Sequence, residues 1–180
     1  MSKIILDLCG GTGSWSKPYQ EAGYDVRVVT LPDYDVRDYI PPENVYGVLA
    51  APPCTHFSSS GARWWKEKDI DGRTIEDMGI VLACLRIIAE CYPFFWCLEN
   101  PVGRLKRWLG KPVMYFNPCD YGDPYTKKTG LWGVFNSPEK TPVEPGEGSK
   151  MHLIPPNEKR QEIRSITPTG FAKAFFEANK

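Results

Sequence analysis

The sequence predicts an α/β fold, in which helices cover a mainly parallel sheet. Short apolar runs of five or six residues, typical of buried parallel strands, alternate with helical patterns. Glycines or polar residues directly follow several of these runs, as they do where parallel strands end at a functional site. No internal repeat or low-complexity segment interrupts the 180 residues, so we expect a single domain over 1–180.

The first elements lie in the amino-terminal half. Residues 3–8 (KIILDL) predict a buried strand, and the glycine-rich turn after it leads into a predicted helix over 14–22. Residues 25–30 and 46–50 predict the second and third strands. The longest helical pattern covers 74–91, and its spacing predicts a buried face made of Ile75, Met78, Leu82, Leu85 and Ile88.

The carboxyl-terminal half continues the alternation. Residues 94–98 (FFWCL) predict another buried strand, and 113–116 and 131–135 predict the last two. Residues 137–156 are rich in Pro, Gly, Glu and Lys and predict a loop. Thr167 and Pro168 predict the start of a helix that ends near residue 178.

Composition excludes several classes of protein. Lys+Arg and Asp+Glu both number 22, so the chain lacks the strong positive charge of many nucleic-acid-binding domains. No apolar run approaches the roughly 20 residues of a membrane-spanning helix, and the start of the chain does not resemble a secretory signal, so we expect a cytoplasmic protein. The six cysteines and two histidines show no zinc-ligand spacing, so no metal is expected.

Two motifs could bind or react with a ligand. Glycines after the first predicted strand (DLCGGTG, 7–13) allow a ligand to approach the backbone, and Asp7 can accept its hydrogen bonds; the alternative is a tight turn without a ligand. After the third strand, the sequence APPCTHFS stiffens the chain with two prolines and places Cys54 at the end of the sheet. Such a thiol either packs in the core or acts as a nucleophile.

The motifs together resemble those of the DNA cytosine-5 methyltransferase family, in the same order along the chain. Segment 7–13 resembles the family's cofactor loop, Pro52-Pro53-Cys54 with Phe57-Ser58 its proline–cysteine motif, and Glu99-Asn100-Pro101 its glutamate–asparagine motif. The resemblance implies a Rossmann-like fold that uses S-adenosylmethionine. The cofactor contacts that it implies are Asp7, Leu8, Cys9, Gly10, Gly11, Gly13, Asp35, Val36, Pro52 and Thr169.

The chemistry of this family explains the need for a fixed thiol and an acid. Carbon 5 of cytosine becomes nucleophilic only after a thiolate adds to carbon 6, a role that the resemblance gives to Cys54. Protonation of N3 relieves the charge on the ring, and a carboxyl with a raised pKa, here Glu99, can supply that proton. Lys127 and Lys128 stand where the family has a glutamine–arginine–arginine motif, and they offer charge without a planar guanidinium fork.

The substrate is less defined. The family reads DNA with a separate recognition region, for which only the loop 137–156 is available, so we expect DNA methylation of low specificity, as in compact phage enzymes. The expected substrate contacts are Pro53, Ser58, Arg63, Trp64, Trp65, Asn100 and Arg104. A free pyrimidine nucleotide such as dCMP, or an RNA, is the alternative substrate. A non-catalytic binding or regulatory protein that keeps the cofactor fold is the alternative of another class.

Overall fold

The computed structural model describes residues 2–149, 154–155 and 160–180. Six strands form one sheet in the order β2-β1-β3-β4-β6-β5. Their bounds are Ile4–Leu8 (β1), Asp25–Val29 (β2), Val45–Ala50 (β3), Phe95–Pro101 (β4), Met114–Phe116 (β5) and Thr129–Val134 (β6). Strands β1 to β4 are parallel, and β6 runs antiparallel between β4 and β5. The predicted Rossmann-like α/β fold class is confirmed. The antiparallel direction of β6 was not part of the prediction.

Helices lie on both faces of the sheet. Their bounds are Lys17–Glu21 (α1), Trp65–Ile70 (α2), Arg73–Cys91 (α3), Lys106–Leu109 (α4), Arg160–Ser165 (α5) and Thr169–Ala178 (α6), with 3-10 helices at Ser59–Trp64 and Pro118–Tyr121. No helix in the described part of the chain combines the length and apolar character needed to cross a lipid bilayer.

Alternate side chains of the central strands form two apolar layers. Leu6, Leu8 and Val48 pack with the buried side of α3 on one face of the sheet. On the other face, Ile5 and Leu49 pack in a layer that contains the aromatic side chains of α6. This burial on both faces explains why the parallel strands are almost continuously apolar.

The buried side of α3 agrees with the predicted one only in part. Ile88 is buried and Met78 and Leu85 pack against the core, as predicted. Ile75 and Leu82 are 75% and 58% exposed, so their assignment to the core was wrong. The rest of the buried side is formed by Thr74, Asp77, Val81, Ala83, Cys84 and Ile87. Its two polar members are paired, Thr74 with Arg104 and Asp77 with His56.

Two element boundaries also differ from prediction. Helix α1 begins only at Lys17, because the glycine turn continues through residues 10–16 with positive φ at Gly11 and Gly13. Strand β4 continues through Pro101, because β6 pairs with its last residues. Glu99 therefore lies within a strand and not in the turn after it.

Segment 137–149 has no regular secondary structure, as predicted, and backbone bonds hold it in place. Thr141 and Val143 donate to the carbonyls of Asp120 and Cys119. The rest of the predicted loop includes 150–153 and 156, which lie outside the described residues. The described part therefore runs along the body of the protein.

Candidate active site

A cleft of about 1010 Å³ opens at the carboxyl ends of β1, β3 and β4. It brings together residues that are far apart in sequence, from the glycine turn, the proline–cysteine turn and the end of β4. Its walls also include residues of the carboxyl-terminal part of the chain. The lining residues on which the argument depends are Asp7, Gly10, Cys54, Ser58, Lys68, Glu99, Lys127 and Arg164.

Asp7 is fully buried at the end of β1. The Ser16 hydroxyl donates to one of its carboxylate oxygens at 2.5 Å, and the other oxygen, Oδ1, is buried without a hydrogen-bond partner. Loss of hydration raises the pKa of Asp7 from 3.8 to about 6, a rise that the bond from Ser16 partly offsets. A buried carboxylate with one unpaired oxygen is suited to receive a donor from a ligand.

Gly10 lets the backbone close over this carboxyl. A Cβ at this position would lie 2.4 Å from Cγ of Asp7, well inside van der Waals contact. The glycine is therefore required for packing in the turn, whether or not a ligand is bound. Cys9 and Gly10 line the cleft, whereas Leu8 is buried in the core.

Three bonds hold the turn that carries Cys54. Asn100 of β4 donates through its Nδ2 to the Pro52 carbonyl at 3.0 Å. The Cys54 carbonyl accepts from the backbone N–H groups of Phe57 and Ser58. These contacts fix the half-buried thiol of Cys54 at the cleft.

Glu99 lines the same cleft from β4. Burial raises the pKa of its carboxyl above the usual value, and the nearby positive charge of Lys127 offsets part of that rise. A fraction of Glu99 is therefore protonated at a higher pH than an exposed glutamate would be. That property suits a general acid.

Burial also raises the pKa of the Cys54 thiol, and the proximity of Glu99 adds to the rise. Lys127 and Arg164 act in the opposite direction. Cys54 is consequently a thiol at neutral pH and must lose its proton as it reacts. The two cations are the groups that would stabilise the thiolate.

Arg164 is the main site residue that sequence reasoning missed. It belongs to α5, and its backbone carbonyl accepts a bond from Lys127 Nζ at 2.8 Å. Ser165 and Thr167 of the same segment also line the cleft. No local signal in the sequence EIRS indicates this role, since nothing near Arg164 connects it with Asp7 and Cys54, which lie more than 100 positions earlier.

Lys127 and Lys128 both line the cleft, but only Lys127 exerts an electrostatic effect on Cys54 and Glu99. Lys128 lies 5.4 Å from the ring centre of Tyr115 and is exposed. The two lysines that the sequence treats as a pair therefore have different surroundings.

Two of the expected cofactor contacts, Asp35 and Val36, are not among the residues that line the cleft. Asp35 forms a bidentate ion pair with Arg37, which lowers the pKa of the carboxyl to about 2. Val36 is buried in the core.

Other predicted ligand contacts are also absent from the cleft lining. Gly11 and Gly13 shape the turn through their positive φ angles without lining the cleft. Thr169 is exposed at the start of α6, and Thr167 lines the cleft instead. Asn100 is completely buried and holds the turn through Nδ2, and its Oδ1 has no hydrogen-bond partner among the described residues.

Arg104 is a structural residue. Its side chain is 2% exposed and bonds to Asp69, the Thr74 hydroxyl and the His56 carbonyl. Its guanidinium also lies 4.9 Å from the ring centre of Trp65. These contacts hold the guanidinium inside the protein, and the predicted substrate contact of Arg104 stays a prediction.

Arg63, Trp64 and Trp65 follow the proline–cysteine turn without lining the cleft. Arg63 and Trp64 are exposed, and the guanidinium of Arg63 lies 5.0 Å from the ring centre of Trp64. Trp108 is a second exposed tryptophan and contacts Phe57 edge to face. In the described residues, no group of three or more His, Cys, Asp or Glu side chains is placed to hold a metal ion.

Comparison with protein-family models finds no match, and no curated protein matches the sequence. Among solved structures, the chain is similar to a proposed DNA modification methyltransferase encoded within an Escherichia coli prophage, at 20% identity and a TM-score of 0.47, over 74% of this chain and 47% of that one. It is also similar to the DhpI–SAM–HEP complex, at 14% identity and a TM-score of 0.29, over 81% and 66% of the two chains. This chain thus spans about half the length of the first structure. Neither likeness is close enough to carry a functional argument.

Proposed function

We propose that this protein is an S-adenosylmethionine-dependent methyltransferase that methylates carbon 5 of cytosine through a covalent bond from Cys54 to carbon 6. The observation that carries the proposal is the convergence of Cys54, Glu99 and Lys127 in the cleft that Asp7 also lines. A nucleophile, an acid with a raised pKa and a cation that acts on both are the groups this reaction needs.

The residues at the glycine turn fit the methyl donor. Oδ1 of Asp7 is buried without a partner, and Gly10 lines the cleft next to it. These two residues, with Cys9, would hold the polar end of S-adenosylmethionine. When bound, S-adenosylmethionine supplies an electrophilic methyl group.

The chain's own groups would act in sequence. Cys54 would lose its thiol proton to solvent in the cleft and add through Sγ to carbon 6, with Lys127 and Arg164 stabilising the thiolate. Glu99 donates a proton to N3, which makes carbon 5 nucleophilic. Once carbon 5 carries the methyl group, the demethylated cofactor is the leaving group of the transfer. Carbon 5 would then lose its proton to solvent, and the electron pair of that bond would restore the 5,6 double bond and expel Sγ as a thiolate. Glu99 would recover the proton of N3.

DNA of little sequence specificity is the proposed substrate. The exposed side chains of Arg63, Trp64, Arg107 and Trp108 combine positive charge with aromatic rings that can stack on bases. A free pyrimidine nucleotide is the second candidate. It is favoured by Lys68 and Ser58 at the cleft, which offer contacts to one phosphate group.

The test is transfer of a labelled methyl group from S-adenosylmethionine to duplex DNA, single-stranded DNA, RNA and dCMP in parallel. The proposal expects 5-methylcytosine in at least one product, and no transfer by Cys54→Ala. Cys119→Ala is the matched control, because Cys119 is also half-buried but lies outside the cleft lining. S-adenosylmethionine binding without transfer to any substrate would indicate a non-catalytic binder, and methylation at another atom would also overturn the proposal.

A further inference from the structure

Lys68 is a buried cation whose charge is not explained by the catalytic groups. It belongs to α2 and is only 7% exposed. Its Nζ donates to the Thr55 carbonyl at 2.7 Å. In the part of the chain that the structure describes, Lys68 has no carboxylate within ion-pair distance. An ammonium group has three donors, so two remain after the bond to Thr55.

The surroundings of Lys68 face the cleft. Lys68 lines it together with Thr55 and the serine-rich segment Ser58-Ser59-Ser60-Gly61. Gly61 places no side chain beside the ammonium, since a Cβ there would lie 3.5 Å from Nζ. The hydroxyls of Ser58 and Ser60 are 3.0 Å apart and add polar groups to the same wall.

Burial of a cation without an opposite charge is costly, and a carbonyl dipole compensates only part of that cost. An anion bound at the cleft would supply the missing charge. Because the segment 55–61 follows Cys54 directly, this anion lies on the side of the cleft where the reacting base would be.

We propose that Lys68 and the hydroxyl groups of Ser58 and Ser60 bind the phosphate group of the nucleotide whose base reaches Cys54. This inference rests on the proposed function for the identity of the base. The phosphate is either the monoester of a free nucleotide or the diester of a polynucleotide, and both present the same anionic oxygens to the ammonium group. Lys68 is thus a substrate-binding residue that also supports the turn through Thr55.

The experiment compares the binding of dCMP and deoxycytidine by isothermal titration calorimetry, with the full chain. We expect dCMP to bind at least about tenfold more tightly, the effect of one charge-assisted contact. Lys68→Met is expected to abolish this preference and Lys68→Arg to retain most of it. Lys66→Met is the matched control, because Lys66 is exposed on the same helix and does not line the cleft.

A short single-stranded deoxyoligonucleotide with one cytosine distinguishes the two sources of phosphate. If only the oligonucleotide binds, and binds more weakly to Lys68→Met, the phosphate belongs to a polynucleotide backbone and the proposal holds. If neither ligand depends on Lys68, the proposal is overturned. The midpoint of urea unfolding of Lys68→Met, measured alongside, shows whether the variant is folded, and Lys68→Arg provides the test if it is not.

Methyl transfer separates this inference from the proposed function. Binding that depends on Lys68 without methyl transfer to cytosine would retain the phosphate site and refute the C5 chemistry. If Lys68→Met methylates cytosine with an unchanged KM for the nucleotide substrate, the C5 chemistry would be retained and the phosphate site refuted. A merely structural lysine would lower kcat or stability without removing the preference for dCMP over deoxycytidine.

Discussion

Replacement of Asp7 by asparagine should change how the stability of the protein depends on pH. The pKa of this buried carboxyl is raised from 3.8 to about 6. Each pKa unit corresponds to about 1.4 kcal/mol, so ionised Asp7 costs the folded state about 3 kcal/mol. The asparagine variant cannot ionise and avoids that cost.

Proton binding determines whether the free energy of unfolding rises or falls with pH. Below pH 3.8 the carboxyl is protonated in both the folded and unfolded states, and its contribution to stability is fully present. Between pH 3.8 and about 6 only the unfolded state releases the proton, so the free energy of unfolding falls as pH rises. Well above pH 6, the free energy of unfolding has lost this whole contribution and no longer changes with the ionisation of Asp7.

The asparagine amide also changes the free energy of unfolding by an amount that does not depend on pH. Asparagine can still accept the bond from the Ser16 hydroxyl, but its NH₂ group would occupy the position where Oδ1 of Asp7 has no partner. That costs about 1–3 kcal/mol at every pH. The variant should therefore be less stable than the parent at pH 4, and its stability relative to the parent should rise by about 2.4 kcal/mol between pH 4 and pH 8.

Urea unfolding at pH 4, 5, 6, 7 and 8, monitored through tryptophan fluorescence, measures this difference directly. Asp38→Asn removes an exposed carboxyl and is the control for the loss of one negative charge. A difference between Asp7→Asn and the parent that stays within about 0.5 kcal/mol from pH 4 to pH 8 would refute the reasoning. S-adenosylmethionine should bind Asp7→Asn more weakly, because an amide cannot offer the same negative charge.

Two further changes test the packing and the electrostatics of the site. Gly103→Ala should destabilise the protein by about 3 kcal/mol, because its Cβ would lie 1.9 Å from the Phe57 carbonyl oxygen. Gly79→Ala, in an open position of α3, should stabilise the protein by about 0.5–1 kcal/mol, as measured by urea unfolding. Equal effects of Gly103→Ala and Gly79→Ala would contradict the close contact between Gly103 and the Phe57 carbonyl. Lys127→Met should raise the pKa of Cys54 and slow iodoacetamide alkylation of its peptide at least about threefold at pH 8, by mass spectrometry. Lys173→Met, an exposed lysine of α6, should leave that rate unchanged, and an equal rate in both variants would exclude the effect of Lys127.

The strands and the two turns could be predicted because their signals are local. Apolar runs beside glycines or prolines mark both where a strand lies and where it ends, and β1 and β3 agree with the prediction to within one residue. The direction of β6 could not be predicted in this way. Propensity favours a strand regardless of direction, and the reversal depends on pairing with both β4 and β5.

The site was predictable only in part, for a similar reason. Cys54, Glu99 and Asp7 belong to short motifs, and each lines the cleft. Arg164 and Lys68 reach the cleft through long-range packing, which no local pattern reports. Conversely, a basic residue near a motif can have a structural role. Arg104 is an example, because its guanidinium donates to the His56 carbonyl and the Thr74 hydroxyl.

The same limit explains the misplaced core face of α3. Apolar spacing predicts burial of Leu82, whereas its neighbours Val81 and Cys84 are buried in the structure. Because apolar residues of α3 lie next to one another in sequence, spacing alone allows more than one buried face. The partners of the buried polar residues, Arg104 for Thr74 and His56 for Asp77, become visible only in the structure.

Covalent trapping tests the central claim most directly. The protein is incubated with S-adenosylmethionine and with 5-fluorocytosine in duplex DNA, single-stranded DNA, RNA or 5-fluoro-dCMP, because fluorine at carbon 5 blocks the final elimination. The account predicts an adduct in the intact mass, equal to protein plus methylated substrate, that is absent from Cys54→Ala and present in Cys119→Ala. No adduct with any of these substrates, despite bound S-adenosylmethionine, would contradict it.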